Sequence, residues 1–317
     1  MIAATNFFHH SEVDLPNHHP HPNIIDYEGG SYKQDFWDGQ GREFEDLAER
    51  YALQKLLPPR GRVLIELGAG FGRLANLYKH YDKVILIDYS LSLLLQAKEQ
   101  LGNDPKHQFV AANIYNTPLV DNLADVIVMI RVAHHLESID LALQEIARVL
   151  QGRRTFIFEY ANKRNAKAIA RFLLRKQRWN PFDRSPYEFV PLNFDFHPSW
   201  MTERLQAAGF TIRDERAISH FRLPAVKRRV NADLLARLDS ALSRPDSLFK
   251  LSPSILVKST SNKAVLPAKG VFQCPHCGNS TLKDAKNAIR CINCGQNWPI
   301  IEGVIDFRYP RPASVRS

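Results

Sequence analysis

The chain predicts an α/β fold, a largely parallel sheet covered by helices on both faces, followed by a small cysteine-rich unit. Three observations carry this. Short continuous apolar runs alternate with helical segments from Val63 to Lys258, the pattern of strands buried on both sides. A glycine-rich turn, Gly68-Ala69-Gly70-Phe71-Gly72, leaves the first of those runs. All four cysteines, Cys274, Cys277, Cys291 and Cys294, fall within 21 residues near the C-terminus.

Taken in order, residues 1–26 carry five of the twelve histidines and no apolar periodicity, and read as a flexible tail. From Arg42 to Leu57, Phe44, Leu47, Ala48, Tyr51 and Leu56 recur at helical spacing, and Pro58-Pro59 stops the helix. Val63–Leu67 is the first strand, with a helix predicted from Arg73 to His80. Val84–Asp88 is the second strand, and Ser90–Leu101 the second helix of this alternation. Gln108–Ala111, Asp125–Ile130 and Thr155–Glu159 are strands three to five. Trp200–Ala208 is a helix closed by Gly209 and followed by a strand, Phe210–Arg213. Asn231 caps a helix with Leu234, Leu235, Leu238 and Leu242 on one side. Ser254–Lys258 closes the sheet. The small and polar stretch 259–270 reads as a linker, which divides the chain into a main domain at 27–258 and a C-terminal unit at 271–317.

With 317 residues, 44% hydrophobic and 24% charged, the chain suits one large globular domain and a small one rather than a disordered polymer. No apolar run approaches the ~18 residues of a membrane span. The first residues lack the basic flank and apolar stretch of a signal peptide, so the cytoplasm is the expected compartment. Two Cys-x-x-Cys pairs in such a chain point to a metal site rather than to disulfides. The formal charge is +9, and the segment Arg148–Arg178 holds ten Lys or Arg against one acid, Glu159. Lys167, Arg171, Arg175 and Arg178 recur at helical spacing and would form one stripe, with Ala166, Ile169, Phe172 and Leu173 facing the other way. Such a stripe can attract an anionic partner or be a solvated face.

The turn after the first strand reads Glu66-Leu67-Gly68-Ala69-Gly70-Phe71-Gly72-Arg73. Glycines let the backbone turn tightly and approach a ligand. Asp88 ends the second strand 16 residues after Gly72, where a carboxylate can accept from ribose hydroxyls. A dehydrogenase fingerprint would more usually read Gly-x-Gly-x-x-Gly, whereas Leu74 and Ala75 follow Gly72.

On Val63–Arg73, Val84–Ser90, Ala111–Leu119, Asp125–Leu136 and Glu145–Gly152, the chain resembles class I S-adenosylmethionine-dependent methyltransferases, in particular the broad methyltransferase type 11-like group with a His-His pair after the fourth strand. The resemblance implies a Rossmann-like seven-stranded sheet whose last strand is antiparallel. It also implies that Glu66, Gly68, Ala69 and Gly70 line the methionine portion of the cofactor, and that Asp88 holds the ribose. On the same resemblance Tyr89 would pack on the adenine, Asn113 and Ile114 would meet the adenine edge, and Arg131 would sit beside the cofactor. Asn113 stands where many relatives have Asp; its amide oxygen can still accept from an amine. His134 and His135 are candidates for a general base, or for packing of the loop they occupy. Tyr32, Trp37 and Arg42, which precede the first strand, are expected to pack.

Methyl transfer asks the protein to align the acceptor behind the S–CH3 bond and exclude water. A thiol-mediated attack on a pyrimidine is disfavoured because the cysteines are committed elsewhere. The signature of exocyclic amino methylation is absent from Ile130-Arg131-Val132-Ala133. The reading favours a small molecule or lipid as acceptor. The alternative is an RNA- or protein-directed enzyme using the basic stripe and the C-terminal unit.

Cys274-Pro-His-Cys277, thirteen residues, then Cys291-Ile-Asn-Cys294, each pair followed by Gly278 or Gly295, is the spacing of a structural zinc site, with an iron–sulfur cluster the less favoured alternative. With Trp298–Phe307 it resembles the Trm112-like zinc ribbon, whose members bind and support methyltransferases.

Overall fold

The computed structural model describes residues 22–30 and 32–309. Helices α1 (Tyr32–Phe36) and α2 (Glu43–Leu56) precede the first strand. Then follow β1 (Gly61–Leu67), β2 (Tyr81–Asp88), α3 (Leu91–Leu101), β3 (His107–Ala111), β4 (Ala124–Met129), α4 (Ile139–Val149) and β5 (Leu150–Ala161). The next part comprises α5 (Ala166–Leu173), the hairpin β6 (Tyr187–Val190) and β7 (Asn193–Asp195), α6 (Pro198–Ala207), β8 (Phe210–Ile218), α7 (Pro224–Lys227), α8 (Ala232–Leu242) and β9 (Ser254–Ser261). The C-terminal unit holds β10 (Leu282–Ala285), β11 (Ala288–Cys291), β12 (Asn297–Ile301) and β13 (Val304–Asp306).

The expected seven strands are present in the order β3-β2-β1-β4-β5-β9-β8. β9 runs antiparallel to both β5 and β8, so Ser254–Lys258 lies between two strands rather than at the margin. Successive residues of each central strand go to opposite faces. Ile65, Ile85 and Ile127 pack towards α4 and α6, while Leu64, Val84 and Val126 pack under α2 and α3. Both faces are buried, hence the continuous apolar runs.

The C-terminal unit continues this sheet. β13 pairs in parallel with β3, Val304 opposite Phe109 and Asp306 opposite Ala111. β12, β11 and β10 extend it outwards. Its Trp298, Ile305 and Phe307 belong to the main core cluster together with Cys274 and Cys291. β9 itself runs on to Ser261, and Lys263 Nζ donates to the carbonyls of Ala147 and Arg148 at 2.6 and 2.9 Å. The segment expected as linker is thus partly strand and pinned to the end of α4.

Three local expectations are corrected. The helix from Arg73 to His80 is a run of turns with a 3-10 stretch only at Ala75–Leu77. Gly68, Gly70 and Gly72 all take positive φ, which uses up the short connection. Leu74, Ala75 and Tyr78 are buried there without an α-helix. The basic stripe is not one helical face either. α5 ends at Leu173, with Arg175 N donating to Phe172 O and Lys176 N to Arg171 O, a Schellman cap with Arg175 at φ 55. Leu173, expected to face inwards, is 70% exposed. On α8, Asn231 caps as expected, accepting from Asp233 N and Leu234 N. Only Leu235 of its four leucines is buried; Leu234, Leu238 and Leu242 face solvent. Among the described residues, no helix is long and apolar enough to cross a membrane.

Candidate functional site

The turn after β1 is built for a close approach. Gly68 takes φ +71, and a Cβ there would stand 2.1 Å from the Val132 side chain. No L-residue fits that position without moving the loop after β4. Gly68 N and Ala69 N donate to Ile87 O at 2.8 and 2.9 Å, which fixes the turn against the end of β2. Asp88 then grips the turn from below. Its Oδ2 accepts from Gly70 N at 2.7 Å and its Oδ1 from Ser90 N at 2.9 Å. Glu66 is buried with Oε2 unpartnered, and burial pushes its carboxyl up to about 8. A buried acceptor without a donor asks for a cationic or hydrogen-bonding ligand.

Two pockets adjoin at this turn. One is lined by Asp88, Tyr89, Ile114 and His135, the other by Glu66, Ala69, Trp37 and Arg73. Gly68, Gly70, Tyr32 and Arg131 line both. Asn113 lines neither; its Oδ1 accepts from Tyr115 N at 2.8 Å and shapes the turn. Of the histidine pair, His135 lines the cleft, 3.4 Å from Tyr27 Oη through Nε2 and 3.4 Å from Leu192 O through Nδ1. His134 packs behind it, its ring tilted by 45° with 3.9 Å between ring centroids. Burial, His135, Arg131 and Arg222 hold His134 well below the usual histidine range, and therefore neutral at pH 7.

Arg131 follows β4 in the left-handed region, φ 60, a conformation that costs a non-glycine residue energy and is held only by its surroundings. Those surroundings are plain. Its N–H donates to Glu159 Oε2 at 3.0 Å, and Nη2 lies 2.6 Å from Glu49 Oε1. Glu49 also accepts from Arg73 at 2.6 Å. The Trp37 ring lies 4.2 Å from the Arg73 guanidinium and 5.1 Å from that of Arg131. Two cations share Glu49 on α2, so the helix before the sheet orients the residue at the cleft.

The far wall comes from residues that the motif reading did not include. Ile24, Ile25 and Tyr27 line the cleft. Of the expected tail, residues 22–26 therefore form a strap, and 1–21 lie outside the described residues. Glu28 fastens the strap by accepting from Leu91 N at 2.7 Å and Ser92 N at 3.0 Å, at the positive end of α3. Arg308, just past β13, joins three separate segments. Its guanidinium is bidentate to Asp306 and donates to Glu28 Oε2 at 2.7 Å and to Tyr89 O at 2.9 Å. Tyr89 Oη meets Tyr309 Oη at 3.0 Å. No local pattern announces these partners, because they lie hundreds of residues apart along the chain and meet only through the β13–β3 pairing.

The cysteines converge as their spacing predicts. The four Sγ atoms lie within 4.8 Å of one another, with Cys274–Cys294 at 3.7 Å and Cys277–Cys291 at 3.6 Å. A tetrahedral ion with ~2.3 Å metal–sulfur bonds requires a sulfur–sulfur separation of about 3.8 Å, so the cluster can hold a metal. Gly278 and Gly295, both at positive φ, close the two thiolate turns by donating to Cys274 O and Cys291 O.

Residues 65–158 match the family model described as a methyltransferase domain. Over that segment the chain is similar to methyltransferase domains. An uncharacterized protein of Methanocaldococcus jannaschii is 32% identical over 120 residues, 38% of this chain and 49% of that protein. The chain thus spans about half the length of this curated relative. The fold is that of the S-adenosylmethionine-dependent methyltransferase from Mesorhizobium loti, with TM-score 0.50 and 19% identity over 68% of this chain and 99% of that one. A chain from the complex of the Haloferax volcanii Trm112 methyltransferase activator with a methyltransferase superposes with TM-score 0.51 and 16% identity. That match covers 74% of this chain and 98% of the other. The matched segment contains Glu66, Asp88, Arg131 and the histidine pair; the strap, Glu49, Arg308 and the cysteines lie outside it.

Proposed function

We propose that this chain is an S-adenosylmethionine-dependent methyltransferase that modifies a small molecule or lipid. The observation that carries the reading is the pair of carboxyl groups, buried Glu66 and half-buried Asp88, on either side of the fixed Gly68–Gly70 turn. In this reading Glu66, with Gly68, Ala69 and Gly70, receives the cationic amino-acid end, and Asp88 receives the ribose hydroxyls. Tyr89 and Ile114 flank the adenine; Asn113 acts on the turn rather than on the base. When bound, the cofactor supplies a methyl group activated on a sulfonium. The protein's share is alignment and exclusion of water, by the strap at Tyr27 and by Arg131 and Trp37. His135 is the better placed of the two candidate bases, since it lines the cleft, while neutral His134 buttresses it. The alternative, an RNA- or protein-directed enzyme, draws support from the run of cations after β5 and from the C-terminal unit. Incubating the protein with methyl-tritiated cofactor and extract separated into lipid, metabolite, RNA and protein fractions tests it. Label in the lipid or metabolite fraction is expected. Label confined to RNA or protein moves the acceptor, and no cofactor binding at all refutes the reading.

The cysteine cluster is read as a structural zinc site within a Trm112-like ribbon built into the same chain. Its role here is to hold β13, and with it Arg308, against the nucleoside end of the cleft. Replacing Arg308 with Ala is expected to raise the cofactor KM about tenfold, the worth of one hydrogen bond to a charged group, with kcat little changed and metal content intact. Lysine should restore little, because it cannot make the bidentate contact to Asp306. An unchanged cofactor KM counts against this role.

Glu66 gives the binding a pH dependence with a defined sign. In the free protein burial holds the group protonated up to about pH 8, whereas pairing with a cation requires the carboxylate. Affinity should therefore rise as pH increases towards 8 and level off above it, with a proton released on binding near neutrality. Calorimetric titration in buffers of different ionisation enthalpy measures that proton; Glu66→Gln should abolish the pH dependence along with most of the affinity.

A further inference from the structure

We propose that the solvent face of α5 and the turn after it form a docking surface for an anionic lipid bilayer. Helical spacing at 100° per residue puts Ala166, Lys167, Ala170, Arg171, Leu173 and Leu174 on one side, and all six are exposed. Ala168, Ile169 and Phe172 lie on the other side, buried or half-buried. Leu173 and Leu174 are 70% and 65% exposed, an unusual place for two adjacent leucines with no functional or packing reason to be there. Exposed Arg175, Lys176 and Arg178 follow directly. No acid occurs between Glu159 and Asp183. Among the described residues, none of Lys167, Arg171, Arg175, Lys176 and Arg178 forms an ion pair. A second apolar pair adjoins the start of the helix. Arg164 donates to Phe249 O at 2.7 Å and Ala166 N to Leu251 O at 2.8 Å, which brings Leu248 and Phe249, 82% and 64% exposed, to its N-terminal end.

The combination selects the partner. Phosphates of a nucleic acid would be met by the cations alone and have no use for exposed leucines. A bilayer with acidic headgroups uses both, apolar side chains entering the acyl boundary while Lys and Arg meet the lipid phosphates. α5 also leaves β5 at the C-terminal edge of the sheet, the edge that holds the cleft, so docking there places the catalytic domain mouth-side to the membrane.

The inference is independent of the methyl-transfer reading, because the test needs no cofactor. The full chain is sedimented with phosphatidylcholine vesicles, with and without phosphatidylserine. Binding is expected only to the anionic vesicles and should fall with added salt. The pair Leu173→Ser, Leu174→Ser should weaken it at least tenfold, and Lys167→Gln with Arg171→Gln, Arg175→Gln and Lys176→Gln to a similar extent. Circular dichroism melts should match the parent, since these side chains are exposed. Failure to sediment overturns the proposal. So does binding that survives the leucine changes and is competed away by total RNA, which would mark a general polyanion surface instead.

Discussion

Asp88→Ala is expected to weaken binding of S-adenosylmethionine by roughly ten- to a hundredfold. The carboxylate sits at the end of β2 with its two oxygens already oriented by Gly70 N and Ser90 N. A ligand's hydroxyls therefore meet an acceptor that needs no reorganisation. Hydrogen bonds to a charged group contribute about 1.5–3 kcal/mol, each 1.4 kcal/mol being tenfold in affinity. Alanine also releases Gly70 N, so the turn loosens as the ligand contact is lost. Asn at this position keeps the shape but turns one oxygen into a donor that faces the Gly70 N–H, and should recover only part of the affinity. Burial raises Asp88 above the usual carboxylate range, opposed by its contacts from Ser90, Gly70 and Tyr89, so as pH falls the parent's own affinity should drop and the deficit of the alanine variant should shrink. Titration calorimetry on the parent and both variants decides it; equal affinities would remove Asp88 from the cofactor site.

The second large effect follows from the cysteine cluster, on the reading that it holds zinc. Changing Cys274 and Cys277 together to Ser should eliminate one bound zinc per chain and lower the apparent melting temperature on the order of 10 °C, as a loss of several kcal/mol does in a domain of this size. If the C-terminal unit had its own core, the damage would stay there. It does not have one: Cys274, Cys291, Trp298 and Phe307 share a cluster with Ile65 and Val110 of the central sheet. Phe307 N donates to Ala111 O next to the cleft. Loosening β10–β12 therefore frees β13, exposes the edge of β3 and releases Arg308 from Glu28 and Tyr89. Cofactor affinity should fall with the melting temperature, and chelation of the parent protein should reproduce both. Metal analysis showing iron or no metal, or a cofactor affinity indifferent to chelation, would contradict the coupling.

Local chemistry made part of this protein legible from its sequence. Strands β1 to β5 announced themselves because both of their faces are buried, and apolar runs are what such burial demands. Glu66, Gly68 and Asp88 were legible because a tight turn needs glycine and a strand end presents its last side chain to the cleft. The convergence of the four cysteines was legible because two Cys-x-x-Cys pairs, each closed by a glycine, are the spacing that a tetrahedral ion would demand. Tertiary structure decided the rest. The helix expected after the glycine turn did not form, since positive-φ glycines and the pull of Glu49 and Asp46 on Arg73 outweighed helical spacing. The basic stripe was broken by a cap at Arg175 that periodicity does not reveal. The strap at Tyr27 and Glu28, the Glu49 brace behind Arg131 and the Arg308 clasp join segments that are remote along the chain. Their partners are set by which strand edge β13 occupies, and edge pairing depends on exposed backbone hydrogen-bonding groups, which carry almost no sequence signature.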